Sequence, residues 1–364
     1  MIPKSIVSHS TNVGESLPGH IPALDGLRGM AAIMIMVFHW FQRSTAPRGA
    51  FLESAGKFAT IGQTGVDLFF VLSGFLITRI LLRSRSSRNY FRNFYARRAL
   101  RIFPLYYGFV IVWLLILSSS YHMVEHVSPW WLLLYAENIR LTFVSSTMIG
   151  LSHFWSLAVE EHFYLVWPVV IYLVAPQRLG WVALAVLLVS ILTRECMIRA
   201  GYEVFFFTPC RLDGFAVGAF LAWLEFRPGG LAACRHQMLV ALAVFGGIAV
   251  LCWVLASGRG FKEMMTVKFS LVALAYGGLL GLVACPSRIP NRLASLWMNR
   301  PLRWCGKVSY GLYVFHPSCY HYTNMLPLND WSNLLVFFVS SGLVSWLSFR
   351  CFESRITALK RLFV

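Results

Sequence analysis

The chain has 364 residues, of which 57% are hydrophobic and 13% charged, and its formal net charge is +17. Soluble domains carry roughly 25% charge, so this little charge could not cover a water-facing surface, and the composition fits a chain whose solvent is the bilayer. In a soluble protein the basic excess would point to nucleic acid; here it reads as positive loops that fix topology and meet anionic headgroups, with no nucleic-acid partner.

Residues 1–20 are polar and lack the apolar core of a cleavable signal peptide, so a short cytoplasmic N-terminal tail is expected. About 20 apolar residues span the hydrocarbon as a helix. Segments of that kind fall at 22–41, 65–82, 103–119, 156–175, 180–196, 211–226, 237–256, 268–285, 307–325 and 332–352. The expectation is an all-α, polytopic transmembrane bundle of about ten helices over residues 21–352, with 353–364 as a cytoplasmic C-terminal tail. Residues 129–146 are apolar but hold Glu137, Asn138 and Arg140, and read as an eleventh span or as an interfacial or re-entrant segment. Ten spans place 22 of the 32 Lys and Arg on the cytoplasmic side, which an eleventh span would spoil. The eight cysteines form no CxxC pair and no zinc-like spacing, so they read as small buried hydrophobes. No metal site is expected.

Ionisable residues inside spans are costly and therefore informative. In the first span, Arg28 and His39 are eleven residues apart. Eleven steps bring a helix back to within ~20° of its starting direction with a rise of ~16 Å, so the two share a face. Arg28 falls near the cytoplasmic entrance and His39 near mid-membrane. Asp25 lies three residues before Arg28 and can pair with it. His39 is open to two readings: a core imidazole bonded to a neighbouring helix, or a reactive group.

The second span carries Asp67 near its outer end and Ser73-Gly74 near its middle, where a helix or a ligand could approach closely. At the entrance of the third span, Arg98 and Arg101 form an i,i+3 pair of guanidinium groups suited to phosphate oxygens, whether of a ligand or of lipid. The fourth span opens with His153, Glu160, Glu161 and His162, and Glu160 shares a face with Tyr164. Two adjacent carboxylates cannot both face lipid, so at least one must face a polar cavity or a cation. The sixth span opens with Arg211 and Asp213, and its Gly214 and Gly218 read as close helix packing, as do Gly277 and Gly281. The ninth contains His316, followed by a kinking Pro317. A P-loop, a dinucleotide fingerprint, a GxSxG elbow and an HExxH are all missing.

These segments resemble the membrane-bound acyltransferase family 3. The resemblance runs from Ile21 to about Phe352 through PALDGLRG with His39 beyond it, GVDLFFVLSGFLI, RRALRIFPLYY, HFWSLAVEEHFYLVWP, RLDGFAVGA and SYGLYVFHP, in the family's order. It implies an inner (plasma) membrane O-acyltransferase. The acyl donor is acyl-CoA (most commonly acetyl-CoA), used as a substrate with no bound cofactor, and the acceptor is a hydroxyl of a carbohydrate or lipid-linked glycan. It carries over an essential Arg–His pair onto Arg28 and His39, and an Arg-x-x-Arg onto Arg98 and Arg101. Some family members carry a fused SGNH-type esterase domain, and this chain reads as a stand-alone member.

On that reading Arg28, Arg98 and Arg101 bind the donor, and His39, Glu160 and Glu161 are the candidate catalytic residues. His39 acts as general base or as a covalent acyl carrier. The outer carboxylates, Glu160, Glu161, Asp67 and Asp213, bind sugar hydroxyls or orient His39. Asp25, Ser73, Tyr164, Arg211 and His316 complete the acceptor-binding or structural polar set. The competing class is a transporter or flippase that uses intramembrane His and Glu as a proton relay.

Overall fold

The computed structural model describes residues 19–43, 50–117, 128–144, 150–256, 265–285 and 292–363. The expected N-terminal tail lies almost wholly outside the described residues, as do the last two residues of the expected third span.

The α-helices, in chain order, are α1 (Pro22–Arg43), α2 (Ala50–Ala59), α3 (Gly65–Ser84), α4 (Tyr90–Val112), α5 (Trp130–Leu133), α6 (Glu137–Phe143), α7 (Trp155–Leu173), α8 (Leu179–Arg199) and α9 (Leu212–Glu225). They continue with α10 (Gly230–Ala233), α11 (Arg235–Ala256), α12 (Met265–Ala284), α13 (Arg292–Trp297), α14 (Arg300–Lys307), α15 (Ser309–Thr323), α16 (Asp330–Ser348) and α17 (Ser354–Ala358). No strand occurs among the described residues. The chain is an all-helical, polytopic membrane bundle.

Seven described helical stretches are long and apolar enough to cross a membrane: Pro22–Gln42, Phe51–Ser84, Tyr90–Ile116, Pro176–Arg199, Arg235–Leu255, Met265–Ala284 and Asp330–Leu362. The remaining three expected spans centre on α7, α9 and α15. Helices α9 and α15 have 14 and 15 residues, and at 1.5 Å per residue α9 rises only ~21 Å against a hydrocarbon core of ~30 Å. All three are packed largely inside the bundle, with Phe163, Tyr164, Phe215, Ala219 and Val314 buried in one core. By contrast α8, α11 and α16 expose large apolar side chains such as Leu192, Leu251, Leu335 and Val339. Water would not tolerate that surface, and lipid suits it.

Of the ambiguous stretch 129–146, the described residues 129–144 do not form a continuous span. They fold as the two short helices α5 and α6, joined through Tyr135 at φ 52°. Glu137, Asn138 and Arg140 are buried, and Asn138 Nδ2 donates to Thr208 Oγ1 at 2.9 Å.

Small residues set the closest approaches. Gly74 of α3 and Gly218 of α9 each face the other helix's backbone so closely that a Cβ would collide with it. Gly277 faces Val217 of α9, and Gly281 faces Met238 of α11. The packing role expected of both glycine pairs is what the helices show. The same α3–α9 seam holds a buried ion pair, with Arg79 Nε donating to Glu225 Oε2 at 2.7 Å. Arg79 is 3% exposed and is held inside the bundle by Glu225. The eight cysteines are free thiols.

Candidate active site

Two cavities meet inside the bundle. The first is lined by Arg28 of α1, Ser73 of α3, Arg98 and Arg101 of α4, Glu160 and Tyr164 of α7, and Tyr310 and Tyr313 of α15. The second is lined by His39 and Gln42 of α1, Gln63, Trp155, Glu203, Phe205, Phe206 and Lys268. Val66 and Tyr313 line both. The single face shared by Arg28 and His39 therefore runs from one cavity to the other.

The arginine cavity assembles because α4 enters the bundle with Arg98 and Arg101 one turn apart. Helix α1 brings Arg28 in at the same level. No hydrogen bond or salt bridge joins any of these three guanidinium groups to another described residue. The Arg98 guanidinium lies 5.1 Å from the Tyr164 ring centre and 5.8 Å from that of Phe94, which holds its plane without consuming its N–H donors. The acidic group among them is Glu160. Ser73 Oγ donates to Glu160 Oε1 at 2.7 Å, and Tyr164 donates to Ser73 Oγ at 3.1 Å. Three clustered cations with open donors suit a polyanion.

The expected Asp25–Arg28 pair does not form. Asp25 Oδ2 accepts from His20 Nε2 at 3.1 Å at the helix entrance. Three residues leave the two side chains ~60° apart around the helix, and Arg28 turns into the cavity.

In the second cavity His39 Nδ1 lies 2.8 Å from Nε2 of His316 on α15. His316 is completely buried, and its Nδ1 lies 2.9 Å from the carbonyl oxygen of Tyr313 and 3.0 Å from that of Leu312. His153 packs beside this pair, its ring centre 5.6 Å from that of His316. Tyr313, between the cavities, has its hydroxyl 2.6 Å from Ser156 Oγ and also bonded to the His153 carbonyl. The partner of His39 Nδ1 is thus an imidazole, where the sequence suggested a carboxylate.

The remaining polar candidates sit elsewhere. Asp67 Oδ1 accepts from Arg211 Nη2 at 2.6 Å, and Arg211 lies against the Phe269 ring at 3.8 Å. Asp213 Oδ2 accepts from Arg194 Nη1 at 2.9 Å and from Ser270 Oγ at 2.8 Å, and Asp213 Oδ1 accepts from the Gly214 N–H. These carboxylates are neutralised inside the α3–α8–α9–α12 packing and line neither cavity. Glu161 also lines neither cavity, because one residue along a helix is a ~100° rotation away from Glu160. Arg194, Tyr313 and Lys268 were overlooked in the sequence. Arg194 carried a usable signal, since an arginine within an apolar run is functional or paired by default.

Fold and site together define a membrane-embedded helical protein with two adjoining cavities, one lined by arginines and the other by His39. Residues 21–350 match the family described as an acyltransferase domain, and the chain belongs to that family. It is 27% identical to the peptidoglycan O-acetyltransferase OatA of Listeria monocytogenes over 367 residues, covering 93% of this chain and 56% of that protein. It is also 27% identical to the O-acetyltransferase OatA of Staphylococcus aureus, covering 93% of this chain and 57% of that protein. The chain thus spans a little over half the length of these relatives. No solved structure matches it.

Proposed function

We propose that this chain is a membrane O-acyltransferase that moves an acyl group, acetyl in the first instance, from acyl-CoA to a hydroxyl of a polysaccharide. One observation carries this reading: three arginines with open donors line one cavity, His39 lines the next, and the two cavities meet along a single helix face. Coenzyme A is phosphate-rich, and its head docks on Arg28, Arg98 and Arg101 from the cytoplasm. Its pantetheine arm then reaches along the ~16 Å between Arg28 and His39. This orientation places both termini in the cytoplasm and the His39 cavity toward the outer side.

At the junction His39 takes the proton of the acceptor hydroxyl. The oxygen attacks the thioester carbonyl, the new C–O bond forms, and the C–S bond breaks. The thiolate leaves and takes the proton back from the imidazolium. The relatives are named for peptidoglycan and for O-acetyl transfer, which favours a cell-wall or other extracellular glycan as acceptor. The aromatic and amide side chains of the His39 cavity (Trp155, Phe206, Gln63) suit a sugar face and its hydroxyls.

The test follows label from acetyl-CoA into glycan and lipid fractions, with wild type and His39→Ala at matched membrane levels. Label in a glycan that vanishes with His39→Ala supports the reading. Equal labelling by the mutant removes His39 from the chemistry, and no transfer by either protein favours a transporter.

A further inference from the structure

The element that orients His39 is written into α15 as a His-Pro pair. Pro317 sits inside α15 and has no N–H. In an unbroken helix the residue at 317 would donate to the carbonyl of residue 313, so Pro317 leaves the Tyr313 carbonyl without its helical donor. The His316 ring fills that vacancy, with Nδ1 2.9 Å from the Tyr313 oxygen. A carbonyl can only accept, so His316 Nδ1 carries a proton. In the neutral ring Nε2 then holds the lone pair, and Nε2 lies 2.8 Å from His39 Nδ1. His39 must donate there, so its own lone pair falls on Nε2.

We propose that His316, locked by the carbonyl that Pro317 orphans, is the positioning residue that holds His39 as the Nδ1–H tautomer, with Nε2 as the proton-accepting atom. The proposal rests on the catalytic assignment of His39 only for its kinetic consequence; the tautomer is a property of the resting protein. The design follows the general pattern in which an outer partner fixes the tautomer and orientation of a working imidazole.

The full-length protein, ring-15N-labelled at histidine and reconstituted in lipid, reports the tautomer directly by solid-state NMR, with His39→Gln used to assign the His39 signals. Wild type is expected to show His39 Nδ1 protonated and Nε2 bare. His316→Leu is expected to shift His39 toward the Nε2–H form. In steady-state transfer it should lower kcat about 10- to 100-fold with KM for acetyl-CoA unchanged, the size typical of a lost orienting partner. Pro317→Ala keeps the imidazole and restores a donor to the Tyr313 carbonyl, leaving His316 Nδ1 only the Leu312 carbonyl at 3.0 Å, so it should return a smaller part of the His39 population to Nε2–H than His316→Leu does, without loss of thermal stability. His39 found as Nε2–H in wild type, or an unchanged tautomer in both variants, overturns the proposal. Because the NMR arm needs no turnover, absence of acyl transfer would sink the functional reading and leave the tautomer result to be judged separately.

Discussion

Arg28 and His39 lie on one face of α1 yet line two different cavities, and these cavities meet at Val66 and Tyr313. A single helix therefore carries a guanidinium into one cavity and an imidazole into the other. A guanidinium and an imidazole inside a span each need a polar surrounding, and the two cavities supply it.

The donor assignment makes a graded prediction. Arg98→Ala and Arg101→Ala each remove a charge-assisted contact worth about 1.5–3 kcal/mol, so KM for acetyl-CoA should rise roughly 10- to 150-fold with a smaller effect on kcat. Arg→Lys at the same positions keeps the charge and loses the planar fork, so intermediate values are expected. Initial-rate measurements over a range of acetyl-CoA concentrations give the answer. An unaltered KM in the Arg98→Ala, Arg101→Ala double variant means that the phosphates dock elsewhere.

The buried network around Asp213 predicts stability rather than catalysis. Arg194 is fully buried and serves Asp213, Ser270 and two backbone carbonyls. Arg194→Met strands the Asp213 carboxylate, at a cost of about 3–5 kcal/mol. Removing both charges as Arg194→Met, Asp213→Asn should recover much of that loss, because no unpaired charge remains. Thermal unfolding in detergent should rank wild type above the double variant and the double variant above Arg194→Met. A single variant as stable as wild type would show that the pair contributes little to the fold.

The helical bundle was legible because hydropathy and intramembrane charges act locally along the chain. The Arg28–His39 face follows from helix geometry alone, and Arg98 and Arg101 follow from their one-turn spacing. Partners were not legible, since Asp67–Arg211, Arg79–Glu225 and His39–His316 join residues far apart in sequence, and spacing cannot choose among several buried acids and bases. Seven of the ten expected spans are described helices long and apolar enough to cross a membrane, and the other three fall on the shorter or more polar α7, α9 and α15. Segments such as α9 are apolar because they are buried in protein, and a hydropathy reading cannot tell that from burial in lipid. Glu161 was grouped with Glu160 by adjacency, whereas adjacency on a helix places side chains on different faces.

The glycine seam offers a paired test. A Cβ at Gly218 would collide with the α3 backbone, so Gly218→Val should force the helices apart, at about 1–3 kcal/mol or more. A Cβ at Gly108 on α4 meets nothing within 4 Å. Gly108→Ala should therefore be neutral or stabilising, by up to roughly 1 kcal/mol, through its higher helix propensity. The same melting assay reads both, and equal effects at the two positions would remove close packing as the reason for Gly218.

The junction of the cavities makes the sharpest kinetic prediction. If the acyl arm passes from the arginines to His39, it must pass Val66, whose side chain borders both cavities. Val66→Phe adds an aromatic ring at that point and leaves Arg28, Arg98 and Arg101 untouched. Coenzyme A binding, measured by calorimetry on the purified protein, should stay close to wild type. Transfer should fall by something on the order of 100-fold, because the thioester is held short of the acceptor oxygen and small misplacements of reacting atoms are costly. Val66→Ala widens the same point and should retain transfer. A Val66→Phe variant that binds coenzyme A and transfers label at the wild-type rate would mean that the two cavities are not one route, and that the donor reaches His39 by another path.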